Sequence, residues 1–487
     1  MKLYELLDQC RTKHSIFNKL NIDIRGISTS SNQIRNNYIF GAIKGAKFNG
    51  EDFIDSLKKF KEIVVIVKTL SKRMSEINNG FIVIVCKEIE FIIAEISSIL
   101  YKNNINEMIA VTGTNGKTSV ASYTQQIWKT ENIRSASVGT LGFQYNKYFY
   151  KSFLTTPLPE ILHKKLSFFS QEKCQHVIIE ASSIGIHKKR LYPIIFQKIC
   201  FTNFSRDHLD YHKNLKNYLN SKLDLIRNHT KENSIAVINS DNKYSRYFYE
   251  ICKKKKLKIL DFGRNASFLK IKSILKKENK FLVKLVLKKQ FFTIELKCLS
   301  EFQIYNLLSA LVLVYDEKLT LKKFYILNKL SDPVGRLEKV YDEEYKIFID
   351  YAHTPDALKN VLKSLKKNTS KKIITIIGCG GDRDKGKRHL LTKQAIRYSD
   401  HVILADDNPR NENPSKIRLD MIKGLKDKEI EKIFNIGNRE KAIIKGIKLL
   451  KKGDVLLIAG KGHENYQIFK NKKIFFSDHE IVLKVTK

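Results

Sequence analysis

At 487 residues the chain is too long for one core, and roughly two to four domains are expected. A hydrophobic share of 43%, no apolar run of membrane-spanning length and a Met1–Glu5 start without signal-peptide character point to a cytoplasmic protein with no membrane partner. The formal charge of +39 would suit a nucleic-acid binder, but the lysines are spread along the chain and clusters such as Lys253–Lys256 lack interleaved stacking aromatics, so it reads as lysine-rich composition.

The seven cysteines are scattered and form no C-x-x-C, which suits reduced thiols and excludes a disulfide framework or a zinc site. Residues 1–102 alternate short strands and helices. The apolar runs Ile63–Val67 and Phe81–Val85 are of the kind buried in parallel sheets. The polar turn Tyr101–Asn104 marks a boundary.

The strand Met108–Val111 then leads into Gly113-Thr114-Asn115-Gly116-Lys117-Thr118-Ser119, followed by a helical pattern. Strand, glycine loop, Lys-Thr and helix together make a phosphate cradle, with backbone N–H groups and a helix N-terminus facing the anion. Lys117 would reach the β- and γ-phosphates and the Thr118 hydroxyl would sit on Mg²⁺. The loop has two residues between Gly113 and Gly116, where the usual phosphate loop has about four. An ordinary strand-to-helix turn is the alternative.

A second buried strand, His176–Glu180, ends in Glu180-Ala181-Ser182-Ser183. Glu180 could hold Mg²⁺ opposite Thr118, or the cluster could simply cap the next helix. After the strand Ile199–Asn203, the run Thr202–His212 packs two histidines, two aspartates and an arginine, a density suited to metal and proton-transfer chemistry. Lys222 falls in a helical stretch and by pattern alone is one solvated lysine among many. Residues 265–298 read as β-hairpins with basic turns, and Asp332-Pro333 opens the link to a last domain.

From 335 on, strands at Lys346–Asp350, Ile373–Ile377, His401–Leu404 and Asp454–Ile458 alternate with helical patterns, the rhythm of a doubly wound α/β domain. Polar loops follow each strand: Asp350–Asp356, Gly378–Arg388, Asp406–Arg410 and Ala459–Glu464. Ligands of open α/β sheets bind at strand C-termini, so four such loops point to one cleft.

Taken in order, Gly113–Ser119, Thr155-Thr156-Pro157, Glu180–Ser183, Thr202–His212 with Lys222, Asp350–Asp356, Gly378–Arg388 and Gly460–Glu464 resemble the Mur ligase family over nearly the whole chain. Asp407-Asn408-Pro409-Arg410 resembles the family's diaminopimelate-selective signature, whose guanidinium can grip the carboxylate that diaminopimelate has and lysine lacks.

The resemblance implies an α/β fold of three domains: a UDP-sugar-binding domain at 1–102, a central P-loop ATPase domain with a parallel or mixed sheet at 103–333, and a Rossmann-like doubly wound amino-acid domain at 334–487. It implies a monomeric, ATP- and Mg²⁺-dependent amide ligase adding meso-diaminopimelate to a UDP-muramoyl dipeptide through an acyl phosphate, with no nucleic-acid partner.

It also implies roles. Ser31 and Ala46-Lys47-Phe48 would contact the UDP-sugar, and Thr155, Thr156, Ser182, Lys188 and Arg190 the muramoyl dipeptide. Gly113–Ser119, Asn306, Arg336 and Asp350 would contact the nucleotide. Lys222 matches a lysine carbamylated in relatives, which with His208 would hold a second Mg²⁺. Arg383, Asp407, Asn408, Pro409, Arg410, Gly460 and Glu464 would form the diaminopimelate pocket, and His208, His353 and Glu464 all remain open as acceptors of the amine proton.

Departures from the family pattern are Lys188, Leu154, Asn32 and a Pro333–Glu338 segment one residue short. A lysine-adding family member, a folylpolyglutamate-synthase-like ligase, a basic nucleic-acid-binding ATPase and a noncatalytic scaffold are the competing readings.

Overall fold

The computed structural model describes residues 1–18, 20–45, 48–70, 81–278, 280–470 and 472–486. The fold is α/β, with N-terminal, central and C-terminal sheets in chain order. The chain gathers into two compact units: Met1–Ala110 with Asn132–Lys198 and Asp224–Ser234, and Val111–Glu131 with Ile199–Leu223 and Ile235–Lys487. Among the described residues no helix is long and apolar enough to cross a membrane. All seven cysteines are free thiols.

In the first unit, strands Gly26–Ser28, Tyr38–Gly41, Val64–Val67 and Ile82–Val85 run parallel, with Ser15–Phe17 antiparallel on the Ile82–Val85 edge. Strand alternation splits their apolar side chains into two cores. Ile39, Val64, Ile66, Ile82 and Ile84 pack with Ile89, Ile92, Ile93 and Ile96 of the helix Ile89–Leu100. Phe40, Val65, Val67 and Val83 pack on the other face with Ile54 and Leu57. A sheet covered on both faces needs continuous apolar strands, as the sequence has. Ser135–Gly139 pairs in parallel with His176–Glu180 and antiparallel with Gly142–Tyr145. The helix Pro159–Gln171 opens on proline, and its Glu160 accepts from Thr29 N and Thr29 Oγ1 at 3.0 and 2.7 Å.

In the second unit, Ile235–Asn239 and Lys258–Gly263 are parallel, and Leu269–Lys277, Lys280–Leu287 and Gln290–Leu296 form the expected hairpins. The C-terminal sheet has the order Glu338–Asp342, Lys346–Asp350, Val455–Ala459, Ile373–Ile377, His401–Leu404, Ile433–Asn435. All its pairings are parallel except that of the first strand. Helices Pro355–Asn368, Arg388–Tyr398 and Pro414–Ile422 cover one face, and Arg439–Lys448 and Asp478–Thr486 the other. This is doubly wound, and insertion of Val455–Ala459 between the strands at 346 and 373 places the polar loops together at the strand C-termini.

Candidate active site

The glycine loop is built by its neighbour. Thr114 N donates to Asn203 O and Asn115 N to Asn203 Oδ1, both at 2.9 Å, while Asn203 Nδ2 and Thr202 Oγ1 donate to Asn115 O at 3.1 and 2.6 Å. Ser205 N donates to Thr114 Oγ1 at 3.0 Å, and Tyr218 OH lies 3.2 Å from the same oxygen. Two glycines are required. A Cβ on Gly113, at φ +151°, would fall 1.9 Å from Thr202 Oγ1, and one on Gly116, at φ +88°, would fall 2.5 Å from Asn306 Oδ1. Gly116 caps the helix Lys117–Thr130 without a side-chain hydrogen bond, which leaves first-turn amides for an anion. Lys117 Nζ donates to Gly113 O and Thr114 O at 2.8 and 2.9 Å, so it is folded onto its own loop. Arg336 Nη2 donates to Thr118 Oγ1 at 2.9 Å and stacks on Tyr351. Asp350 accepts from Leu337 N and Ala352 N at 2.5 and 2.6 Å, and burial raises its carboxyl above the ordinary value.

Lys222, solvated by pattern, is 1% exposed. It lies on the helix Leu215–His229, its Nζ donates to Gly113 O at 2.8 Å, and it sits over the Tyr218 ring. Desolvation, helped by Lys117, drives its amine well below the ordinary lysine value and so disfavours its charged form. Beside it, the Asp207 carboxylate is a buried hub, with Lys387 Nζ at 3.1 Å, His208 Nε2 at 3.4 Å and His353 Nε2 at 3.6 Å. Burial alone would raise Asp207, but Lys387 and the two rings outweigh it and hold it well below the usual carboxylate range. Desolvation lowers His208 to about 4 against the pull of Asp207, so this ring, still 36% exposed, is neutral at pH 7. Arg206 reaches both oxygens of Asp384 at 3.3 Å, and a Cβ on Gly386 would fall 2.4 Å from Arg206 Nη2.

The C-terminal loops bring the expected pocket residues together. Arg410 Nη1 donates to Gly381 O and Asn408 O at 2.8 and 3.3 Å, and burial and Arg383 both weaken its hold on its proton. Asn408 Nδ2 donates to Glu464 Oε2 at 3.0 Å. Asp407 is 9% exposed. Burial would raise its carboxyl, but Lys461, Arg439 and Arg410 keep it below the ordinary value. A Cβ on Gly460 would lie 3.0 Å from Asp407 Oδ2. His208, Leu337, Asp382 and Arg410 all have φ between +50° and +54°, strain of the kind that gathers in functional loops.

In the first unit, Thr156 Oγ1 donates to Glu180 O at 2.7 Å and lies 2.9 Å from Ser182 Oγ, and Arg190 Nη1 donates to Thr156 O at 3.0 Å. Thr155 Oγ1 lies 3.2 Å from Thr140 Oγ1, and Thr140 N and Oγ1 donate to the Glu180 carboxylate at 2.9 and 3.1 Å. The expected dipeptide residues Thr155, Thr156, Ser182 and Arg190 are therefore one cluster, with Lys188 at the end of the helix Ser183–His187. Ser31 opens the turn Ser31–Gln33, and Phe48 is 67% exposed, edge-on to Phe53. Ala46 and Lys47 lie outside the described residues.

Sequence reasoning missed Tyr218, Lys387 and Lys461, and assigned no role to Asp207. Each lies in or beside a quoted motif, but only the folded packing reveals its burial.

Residues 111–314 match the Mur ligase middle domain, and residues 335–462 match the Mur ligase glutamate ligase domain. The chain is 36% identical over 485 residues to the UDP-N-acetylmuramoyl-L-alanyl-D-glutamate–2,6-diaminopimelate ligase of Rickettsia conorii, covering 96% of each. It is 38% identical over 484 residues to the ligase of that name from Rickettsia bellii, covering 96% of this chain and 97% of the other. A solved structure of a ligase of that name superposes on 100% of this chain and 98% of its own, at 28% identity and a TM-score of 0.64.

Proposed function

Because this chain belongs to the Mur ligase family, we propose that it is the ATP-dependent ligase that joins meso-2,6-diaminopimelate to the D-glutamyl γ-carboxylate of UDP-N-acetylmuramoyl-L-alanyl-D-glutamate, a step of peptidoglycan precursor synthesis. The observation that carries the reading is the charge layout of the C-terminal loops. Among the described residues Arg410 has backbone carbonyls for partners and Glu464 Oε1 has no hydrogen bond, so one pocket offers a cation and a carboxylate oxygen to a ligand. That layout suits an amino-acid end carrying both charges, and the arginine answers the carboxylate that separates diaminopimelate from lysine.

In this reading residues 1–102 hold the UDP-sugar, 103–333 hold ATP and 334–487 hold the amino acid. The γ-carboxylate attacks the γ-phosphorus of ATP, giving an acyl phosphate and ADP. Lys117 swings from its loop carbonyls onto the phosphates, and the amides opening the helix Lys117–Thr130 complete the cradle. An amine of diaminopimelate then attacks the acyl carbon, and phosphate leaves the tetrahedral intermediate. The attacking amine must lose its proton as the new bond forms.

The donor chemistry fits Mg²⁺. In the second unit Thr118, His208 and Lys222 are the residues that would hold it. Burial disfavours the charged Lys222 amine, and only the uncharged form adds CO₂; the carbamate, formed with release of a proton, would supply the oxygen ligands that an amine lacks. When bound, the ion neutralises charge on the transferred phosphoryl group.

Isotope transfer tests the reading. With ¹⁸O in the γ-carboxylate, one label should appear in the released phosphate and the UDP-tripeptide should gain the mass of diaminopimelate less water. Unlabelled phosphate, or ADP release independent of the dipeptide, would refute the acyl-phosphate route.

A further inference from the structure

The amino-acid pocket holds one cation that the family resemblance does not assign. Lys461 is 0% exposed, between Gly460 and the turn that carries Glu464. Its Nζ lies 3.1 Å from Glu464 Oε2, the oxygen that also accepts from Asn408 Nδ2 at 3.0 Å. Asn408 is itself fixed, because its Oδ1 accepts from Ile468 N at 3.0 Å. Glu464 N donates to Lys461 O at 2.9 Å, so the turn is closed through both backbone and side chains. Among the described residues Glu464 Oε1 has no hydrogen bond.

Arg410, across the pocket, is within electrostatic reach of Glu464 and of the second cation Arg383, yet among the described residues no carboxylate stands within ion-pair distance of it. A carboxylate and a guanidinium that share a half-desolvated pocket attract each other. Paired with each other, they would cancel the charges the amino acid needs. Two hydrogen bonds on one oxygen, one from a buried cation, oppose that collapse.

We propose that Lys461 is a positioning residue that holds Glu464 off Arg410, keeping an ammonium site at Glu464 Oε1 and a carboxylate site at Arg410 open together. This rests on the diaminopimelate-ligase reading. Arg410 then meets the far carboxylate without Glu464 competing for it.

The test is steady-state kinetics on the full chain, with KM measured separately for diaminopimelate, ATP and the UDP-dipeptide. Lys461→Met is expected to raise the diaminopimelate KM about 30-fold, with kcat and the other two KM values moving less than about 3-fold. In a Glu464→Gln background, where Glu464 no longer carries a charge that could pair with Arg410, Lys461→Met should add less than about 3-fold. Lys461→Arg, which keeps the cation, should recover most of the lost affinity and guards against a Met variant that fails to fold. Equal rises in all three KM values, or the full rise retained in the Glu464→Gln background, would overturn the positioning role. A wild-type enzyme with no diaminopimelate-dependent turnover would instead overturn the function on which it rests.

Discussion

Replacing Lys222 by methionine should move stability and activity in opposite directions. The side chain is 1% exposed, and its amine makes one hydrogen bond, to Gly113 O at 2.8 Å. Losing that bond costs about 1 kcal/mol. The carbonyl is not orphaned, because Lys117 Nζ donates to it as well, also at 2.8 Å. Removing a buried, poorly compensated polar group returns about 1–3 kcal/mol, and methionine fills nearly the same volume beside Tyr218. The balance is about 1 kcal/mol of stabilisation, or a rise of about 1–2 °C in melting temperature for a unit of this size. A carbamate that helps hold Mg²⁺ at the phosphoryl group is worth several kcal/mol to the transition state, so turnover should fall about 10²–10⁴-fold. Scanning calorimetry and phosphate release on the same preparation measure both. A methionine variant with wild-type turnover, or one that melts several degrees lower with a proportionate loss of activity, would refute the argument and make Lys222 structural.

Gly113→Ala should abolish ATP binding, measured by calorimetric titration, since its Cβ would fall 1.9 Å from Thr202 Oγ1 and break the loop pairing; near-normal affinity would contradict that geometry. Arg410→Ala should raise the diaminopimelate KM about 10–100-fold, the value of a charge-assisted hydrogen bond, with ATP affinity unchanged. An unchanged amino-acid preference would sink its assignment. In the first unit, burial would raise Glu107, but His176 and Lys198, at 3.1 and 3.0 Å, outweigh it and lower its carboxyl. Its contribution is therefore present above the unfolded value of about 4.3 and lost as pH falls through the folded one. Glu107→Gln should lower the urea midpoint at pH 7 and match wild type once the wild-type Glu107 is protonated in both the folded and unfolded states; an equal gap at both extremes would exclude an ionic origin.

Local chemistry was legible because it is written locally. The apolar run before Gly113, the Lys-Thr after it and the helix from Lys117 follow from adjacent residues, and so do the four C-terminal strands with their polar ends. Asp407–Arg410 was legible as a motif. Burial made by distant chain segments was not. In the helix Leu215–His229 Lys222 is one of two lysines, and only the folded packing, with Gly113 O on its amine and Tyr218 beneath it, shows that its charge is desolvated. Asp207 is quoted in its motif, yet its partners Lys387 and His353 lie 180 and 146 residues away. Lys461 adjoins an assigned glycine, but its effect on Glu464 depends on Asn408 arriving from another strand end.

The most direct test of the central claim compares kcat/KM for meso-diaminopimelate and L-lysine, as ATP-dependent phosphate release with the UDP-muramoyl dipeptide. The account predicts turnover with diaminopimelate and a preference over lysine of at least about 100-fold, the value of one desolvated carboxylate–guanidinium contact. Equal or better turnover with lysine would keep the chain in its family and contradict the role given to Arg410.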